Sequence, residues 1–278
     1  NESFMIIKKN YLLCAYVFLT NKNDNGLIEC NYGFDLPGLI IINENIDKKL
    51  LSKFLNKILF LKNSFHNISF TIPPFQEINK GYEEVFKNFN LKNKVKWYRS
   101  IDLSKTEEYL WRNIRKSYKS AINKGIREQE IILIDHNNFN IGILKEIKTL
   151  HHKVSGKVTR SQKSWDIQFD SIKNDFGFVF CSFKNEEILS AVYFIKSESN
   201  AYYSVGIFTD QSKKSMYGHC LLWESVKYCK SRGLNFCELD IDIKFNSLNE
   251  NEHKLSQISY FKSGFGGSIH PRHEFLII

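Results

Sequence analysis

The sequence predicts an α/β (α+β) protein of two halves, the first reduced, each a mixed and mostly antiparallel sheet flanked by helices. Three observations predict it. Of the 278 residues, 42% are apolar and 14% aromatic, which suffices to bury the core of one large domain or two ordinary ones and argues against disorder. Three strand-like runs, Gly177–Phe183, Ile188–Ile195 and Ala201–Phe208, are joined by short polar turns and read as an antiparallel meander. Finally, the element order of the second part, β-α-α-β-β-β-α-β-α-β, recurs in the first part without its leading strand and two helices.

Taken in order, Tyr11–Thr20 is an apolar strand, and Gly26–Gly33 and Leu39–Ile42 read as further strands. Asp47–Leu61 has helical spacing, with Leu50, Leu51, Phe54, Leu55, Ile58 and Leu61 recurring at three and four residues on one face. Strand Ile68–Ile72 is ended by Pro73-Pro74. Helix Lys80–Phe89 and strand Val95–Ile101 complete the first half, residues 1–103. The second half, 104–278, starts with a connecting basic helix, Glu107–Gly125, with Ser104 as N-cap, Glu107 closing a capping box and Gly125 as the residue just past its end. Strand Glu130–Ile134, helices Phe139–Val154 and Ser161–Asn174 and the three-strand meander follow. Helix Gly218–Ser231 stops at Gly233, and strand Phe236–Leu239, helix Asn251–Lys262 and strand His273–Ile278 close the chain.

Composition bounds the function. No apolar run reaches the ~20 residues that span a bilayer, and no cleavable signal follows the first apolar stretch, so the expected location is the cytoplasm. The six cysteines include no C-x-x-C pair and sit mostly in apolar runs, as core thiols of a reducing compartment do. The histidines lack zinc-ligand spacing, and no metal is expected. A net charge of +9 favours polyanionic partners: nucleic acid, a phosphorylated cofactor, a nucleotide-sugar or an anionic surface.

Four segments carry chemistry. Trp111–Gly125 crowds Arg112, Arg115, Lys116, Lys119 and Lys124 on one helix, either a solvated face or a phosphate contact. Leu150–Gln168 holds Thr159, Arg160, Trp165 and Gln168: a planar fork suited to carboxylate or phosphate, and a stacking face. Gly206–Leu222 brings Lys213 and Lys214 up to Gly218 at the start of a helix, whose free amides and dipole favour an anion. Ser256–Gly267 reads S-Q-I-S-Y-F-K-S-G-F-G-G, with Phe261, Lys262 and Phe265 among Gly264, Gly266 and Gly267. The acids Glu238, Asp240 and Asp242 alternate at the end of a strand and are expected on one face, with Asp240 a candidate base and Tyr203 and His219 its rivals.

Together these segments resemble the Fem-type branch of the GNAT acyltransferase superfamily, weakly over the first hundred residues and more strongly from Arg112 onward. The Phe261-Lys262-x-x-Phe265-Gly266 segment is similar to the family's apolar-x-x-Phe-Lys-x-x-Phe-Gly run. The resemblance implies two GNAT-like halves, with strands Ala201–Phe208 and Phe236–Leu239 splayed at a central cleft. It implies Lys262 as an exposed cleft lysine that stabilises the oxyanion, with little effect of its replacement on melting. It implies a donor bound by Lys213, Lys214, Gly218, Phe261, Phe265 and Gly266, and an acceptor bound by Thr159, Arg160, Trp165, Gln168 and Arg115. Ser215 stands where GNAT enzymes carry Gln or Arg ahead of the phosphate-binding glycine. No G-x-S-x-G elbow and no Cys/His pair offers a covalent route, so direct transfer is expected. The donor expected is acyl-CoA (acetyl-CoA) and the acceptor an amine of an amino sugar or nucleotide-sugar in surface-glycan synthesis. The alternatives are aminoacyl-tRNA transfer to a peptidoglycan precursor, or an inactive module that binds RNA or another polyanion. Stable DNA binding is not expected.

Overall fold

The computed structural model of the chain describes residues 4–8, 11–16, 20–22, 28–30, 39–41, 48–61, 68–71, 80–89, 91–242 and 250–277. Its elements run β1 (Phe4–Lys8), β2 (Tyr11–Tyr16), β3 (Thr20–Lys22), β4 (Ile28–Cys30), β5 (Leu39–Ile41), α1 (Lys48–Leu61), β6 (Ile68–Thr71), α2 (Lys80–Asn88) and β7 (Lys92–Asp102). Then come α3 (Glu107–Asn113), α4 (Lys116–Glu128), β8 (Glu130–Ile134), α5 (Ile141–Ser155), α6 (Gln162–Lys173), β9 (Gly177–Lys184), β10 (Glu187–Lys196) and β11 (Asn200–Phe208). The last are α7 (Asp210–Ser215), α8 (Gly218–Ser231), β12 (Phe236–Ile241), α9 (Glu250–Ser263) and β13 (Ser268–Ile277). Pro73-Pro74, and the parts of the expected strands Tyr11–Thr20 and Gly26–Gly33 at 17–19, 26–27 and 31–33, lie outside the described residues.

The chain divides into two units, Asn1–Trp97 with His270–Ile278, and Tyr98–Ile269. Both use one pairing scheme. In the first, β3 and β4 are antiparallel, β4 meets β6 in parallel, and β6 meets β13 antiparallel. In the second, β10 and β11 are antiparallel, β11 meets β12 in parallel, and β12 meets β7 antiparallel. Helix α1 precedes β6 in the first unit as α8 precedes β12 in the second, giving the crossover that a parallel pair requires. Strands β9 and β8 extend the second unit's sheet beyond β10.

The second unit has apolar layers on both sheet faces, because alternate residues of a strand point oppositely. Phe178, Phe180, Val192 and Phe194 pack with Tyr118 and Ile122 of α4 and with α8. Val179, Cys181, Ala191 and Tyr193 pack with α5 and α6 through Leu144, Ile147, Trp165 and Phe169. Caps fix the helix starts: Asn140 accepts from Ile143 N–H, Ser161 from Ser164 N–H and Thr209 from Ser212 N–H.

The expected helix Glu107–Gly125 is broken. Thr106, not Ser104, caps α3, while the Ser104 amide turns back to Asp102 Oδ1 at 3.0 Å. Ile114 is extended and Arg115 is non-helical, with ψ of 138° and 134°. The Arg115 amide donates to Gly264 O at 2.8 Å instead of to its own helix, so a tertiary hydrogen bond overrides local propensity. Gly125 does not end the helix either. A Cβ there would lie 2.7 Å from Cys220 Sγ, so this glycine lets α4 approach α8, and α4 runs on to Glu128. Helix α7 forms in a stretch expected to be loop, and β13 begins at Ser268 rather than His273.

Candidate active site

The opening between β11 and β12 is set by backbone geometry. The two strands pair only over Asn200↔Phe236, Ala201↔Cys237 and Tyr202↔Glu238, while β11 runs on beside β10 to Phe208. The splay expected from the sequence is therefore present. On its other side β12 is irregular between Glu238 and Ile241 where it faces β7, and Asp240 takes a left-handed φ of 81°. That conformation is unusual for any residue but glycine and costs of order 1–3 kcal/mol, so its surroundings must hold it.

The last turn of α9 supplies the holding group. Lys262 Nζ lies 2.6 Å from Asp240 Oδ2, and Tyr202 donates its hydroxyl to Asp240 Oδ1 at 3.1 Å. The same ammonium sits 5.1 Å from the centroid of the Tyr203 ring, whose π-face attracts it. The Lys262 side chain is 5% exposed and Asp240 35%. Burial pulls the lysine's pKa down, opposed by the charge and hydrogen bond of Asp240 and then by Glu238. Lys262 is thus a buried, paired lysine and not the exposed one expected.

The rivals of Asp240 divide. Tyr203 is buried, and burial first, then the Asp240 charge, raises its pKa, so it stays a neutral phenol and is no base at neutral pH. His219 lies in the first turn of α8 with Nδ1 2.8 Å from Met216 O, which makes Nδ1 the protonated nitrogen facing a carbonyl. Burial lowers its pKa and keeps the imidazole neutral. Its ring stands edge-on to Tyr118 at 4.3 Å and to Phe261 at 5.0 Å, with Phe265 5.4 Å from Tyr118. A Cβ on Gly264 would lie 2.0 Å from Tyr118 Cε2, so this aromatic cluster requires a glycine there. Arg115 joins the cluster to α9, with Nη1 donating to Tyr118 Oη at 3.1 Å, Nη2 to Ser263 Oγ at 3.3 Å, and the guanidinium stacked 4.0 Å over Tyr260.

The other expected site residues are on α8, on α7 and around α5 and α6. Gly218 is buried, and a Cβ on it would meet Phe208 Cε1 at 2.3 Å, so the close approach of Phe208 requires a glycine there. Lys213 and Lys214 are exposed on α7, and Lys213 pairs with Asp210 at 3.2 Å. Thr159 is exposed and Arg160 half-buried, within electrostatic reach of Tyr193. Trp165 is 3% exposed and packs 5.2 Å from His151 and 6.1 Å from Phe169, so its face is core and not an open stacking surface. Gln168 is buried beside it. This group belongs to the α5–α6 layer, on the opposite sheet face from Phe194, which packs with Tyr203.

Glu238, Asp240 and Asp242 were expected to share a face, but the irregularity in β12 breaks the alternation. Asp240 turns to Lys262, Asp242 pairs with Arg99, and Glu238 is buried. Sequence reasoning missed Tyr202, Arg99 and Tyr118. Tyr202 is one residue from the named Tyr203, and only the local register separates them. Among the described residues no group of side chains suits a metal ion, and no helix is long and apolar enough to cross a membrane.

No protein-family model and no curated protein matches this sequence. Solved structures do match. FemX aligns over 99% of this chain and 87% of its own, with a TM-score of 0.73 and 13% identity. The C-terminal domain of a putative lysylphosphatidylglycerol synthetase from Agrobacterium fabrum aligns over 94% of this chain and 84% of its own, at 0.60 and 11%. A tandem GNAT protein from the clavulanic acid biosynthesis pathway aligns over 99% and 81%, at 0.55 and 8%. The fold of this chain is therefore the Fem-like form of the GNAT fold.

Proposed function

We propose that the chain is an acyltransferase that joins an acyl group to an amine by direct transfer in the opening between β11 and β12. The observation that carries this reading is the Lys262–Asp240 pair, held at the point where those strands part. Asp240 is exposed enough to meet an incoming ammonium, and Tyr202 fixes its other oxygen. Lys262 gives one N–H to Asp240 and keeps others for an oxyanion. In the reaction the amine nitrogen attacks the acyl carbonyl, the C–N bond forms, and the C–O or C–S bond to the carrier breaks. One proton leaves the incoming ammonium for Asp240, with the neutral His219 as its rival, and is released to solvent; a second passes from nitrogen to the departing oxygen or sulfur as the carrier leaves. Holding both substrates in line supplies the larger share of such catalysis, roughly 7–11 kcal/mol.

For the donor, an aminoacyl ester of tRNA is favoured by Ser215, which stands where GNAT enzymes carry Gln or Arg ahead of the phosphate-binding glycine. The likeness in fold to FemX and to a protein named for lysylphosphatidylglycerol synthesis points the same way. A peptidoglycan precursor bearing an amine is then the acceptor. The second reading, acyl-CoA acting on an amino sugar or nucleotide-sugar, is favoured by Lys213 and Lys214, exposed beside the start of α8. Isothermal titration separates the two. Saturable binding of tRNA with none of coenzyme A supports the first, and the reverse supports the second. Binding of neither, with no transfer from either donor, overturns both.

A further inference from the structure

We propose that Arg99 is a positioning residue for the Lys262–Asp240 pair, acting as a clamp on both stretches of chain that carry it. Arg99 lies on β7 with a side chain 14% exposed, and its partner Asp242 is 12% exposed. Nε and Nη2 reach Asp242 Oδ2 at 2.8 and 2.6 Å. Nη1 donates to Gly266 O at 3.1 Å and Gly267 O at 3.3 Å. All three guanidinium nitrogens are used, and a planar fork is the group that can serve such divergent acceptors.

The two places held are informative. Asp242 is the second residue after Asp240, and Gly266 is the fourth after Lys262. Gly266 and Gly267 have φ of 82° and 80°, and a Cβ on Gly267 would lie 2.5 Å from Ser100 O, so the turn presents its carbonyls to Arg99 in a form only glycine adopts. Asp240 keeps its left-handed backbone only while its neighbours hold it there. With Asp242 released, Asp240 can relax toward extended backbone and its carboxylate leaves Lys262. With the Gly266–Gly267 turn released, the last turn of α9 can shift and uncover the lysine. Neither consequence requires the acyltransferase reading; only the effect on turnover rests on it.

The test labels lysines by reductive methylation with formaldehyde and cyanoborohydride, resolved by residue with mass spectrometry. It uses the full chain as wild type, Arg99→Lys, Arg99→Gln and Asp242→Asn. Lys196, 8% exposed and 2.9 Å from Asp175, is the buried control, and Lys213, 57% exposed, the open one. In wild type Lys262 and Lys196 should both react far more slowly than Lys213. In Arg99→Gln, or in Asp242→Asn should the former not fold, Lys262 should speed up about tenfold while Lys196 stays slow, the pattern of a local opening. Arg99→Lys should fall between, since an ammonium can pair with Asp242 without also reaching two carbonyls. Unchanged protection of Lys262, or equal loss at Lys262 and Lys196, overturns the clamp. In a transfer assay the same variants should lose kcat with KM kept. A wild type that transfers nothing refutes the acyltransferase reading and leaves the labelling to decide the clamp.

Discussion

Lys262 and Asp240 should be energetically coupled, and a double-mutant cycle measures by how much. Lys262→Met keeps most of the aliphatic stem and removes the charge, leaving the Asp240 carboxylate with the Tyr202 hydroxyl. Removing one partner of a buried pair costs about 3–5 kcal/mol, but Asp240 is 35% exposed, so solvent compensates and about 1–3 kcal/mol is expected. Asp240→Asn strands an ammonium that is only 5% exposed, so its cost should lie near 3 kcal/mol, the top of that discounted range. The double variant strands neither charge and should cost less than the two singles together, by about 1–3 kcal/mol. For a chain this size each kcal/mol shifts the melting temperature by roughly 2–4 °C, so the single variants should melt visibly lower. That departs from the expectation drawn from sequence, because the lysine is buried. Urea unfolding followed by tryptophan fluorescence gives the three values. Additivity within about 0.5 kcal/mol would refute the pair as a coupled unit.

Other outcomes follow from the same geometry. Gly218→Ala should destabilise the fold by about 1–3 kcal/mol by overpacking Phe208, and Phe208→Leu should restore much of the loss; a fully stable Gly218→Ala protein would contradict the packing role. His219 is held neutral by burial, so its folded pKa lies below its unfolded value near 6.5. Its contribution is complete above about pH 6.5 and is lost as pH falls below that, because the unfolded chain takes up the proton first, with a slope of at most about 1.4 kcal/mol per pH unit. Half-buried His151 shifts the same way, so His219→Gln should flatten the acid side of the stability profile only in part, and an unchanged profile would show that His219 is not the group.

Much of this architecture is legible in the residues. The meander and helix α8 follow from alternation, short polar turns and helical spacing, which are local signals, while the gap between β11 and β12 is implied by the resemblance to the GNAT family. The break at Ile114–Arg115 is not legible, because it depends on a carbonyl at Gly264 that lies 149 positions away by number. The placing of His270–Ile278 with the first unit is equally nonlocal. Lys262 is named by the resemblance of its segment to the Fem-type run and Asp240 by its strand position, but their pairing depends on one irregularity in β12 that no periodicity reveals. Trp165 was misread for a related reason. Trp165 is assigned to the acceptor site by resemblance, whereas its spacing with Phe169 and Ile172 turns it into the α6 core.

The central claim is acyl transfer to an amine at Lys262 and Asp240. Its most direct measurement supplies two labelled donors separately, a pool of aminoacyl-tRNA and acetyl-CoA, with an amine-bearing peptidoglycan precursor or an amino sugar as acceptor. Amide product is followed by mass spectrometry. Wild type should form amide from the aminoacyl donor, and Lys262→Met should slow it about 10²–10³-fold, the usual cost of losing one oxyanion donor. Amide formation at the wild-type rate by Lys262→Met, or no amide from either donor, would contradict it.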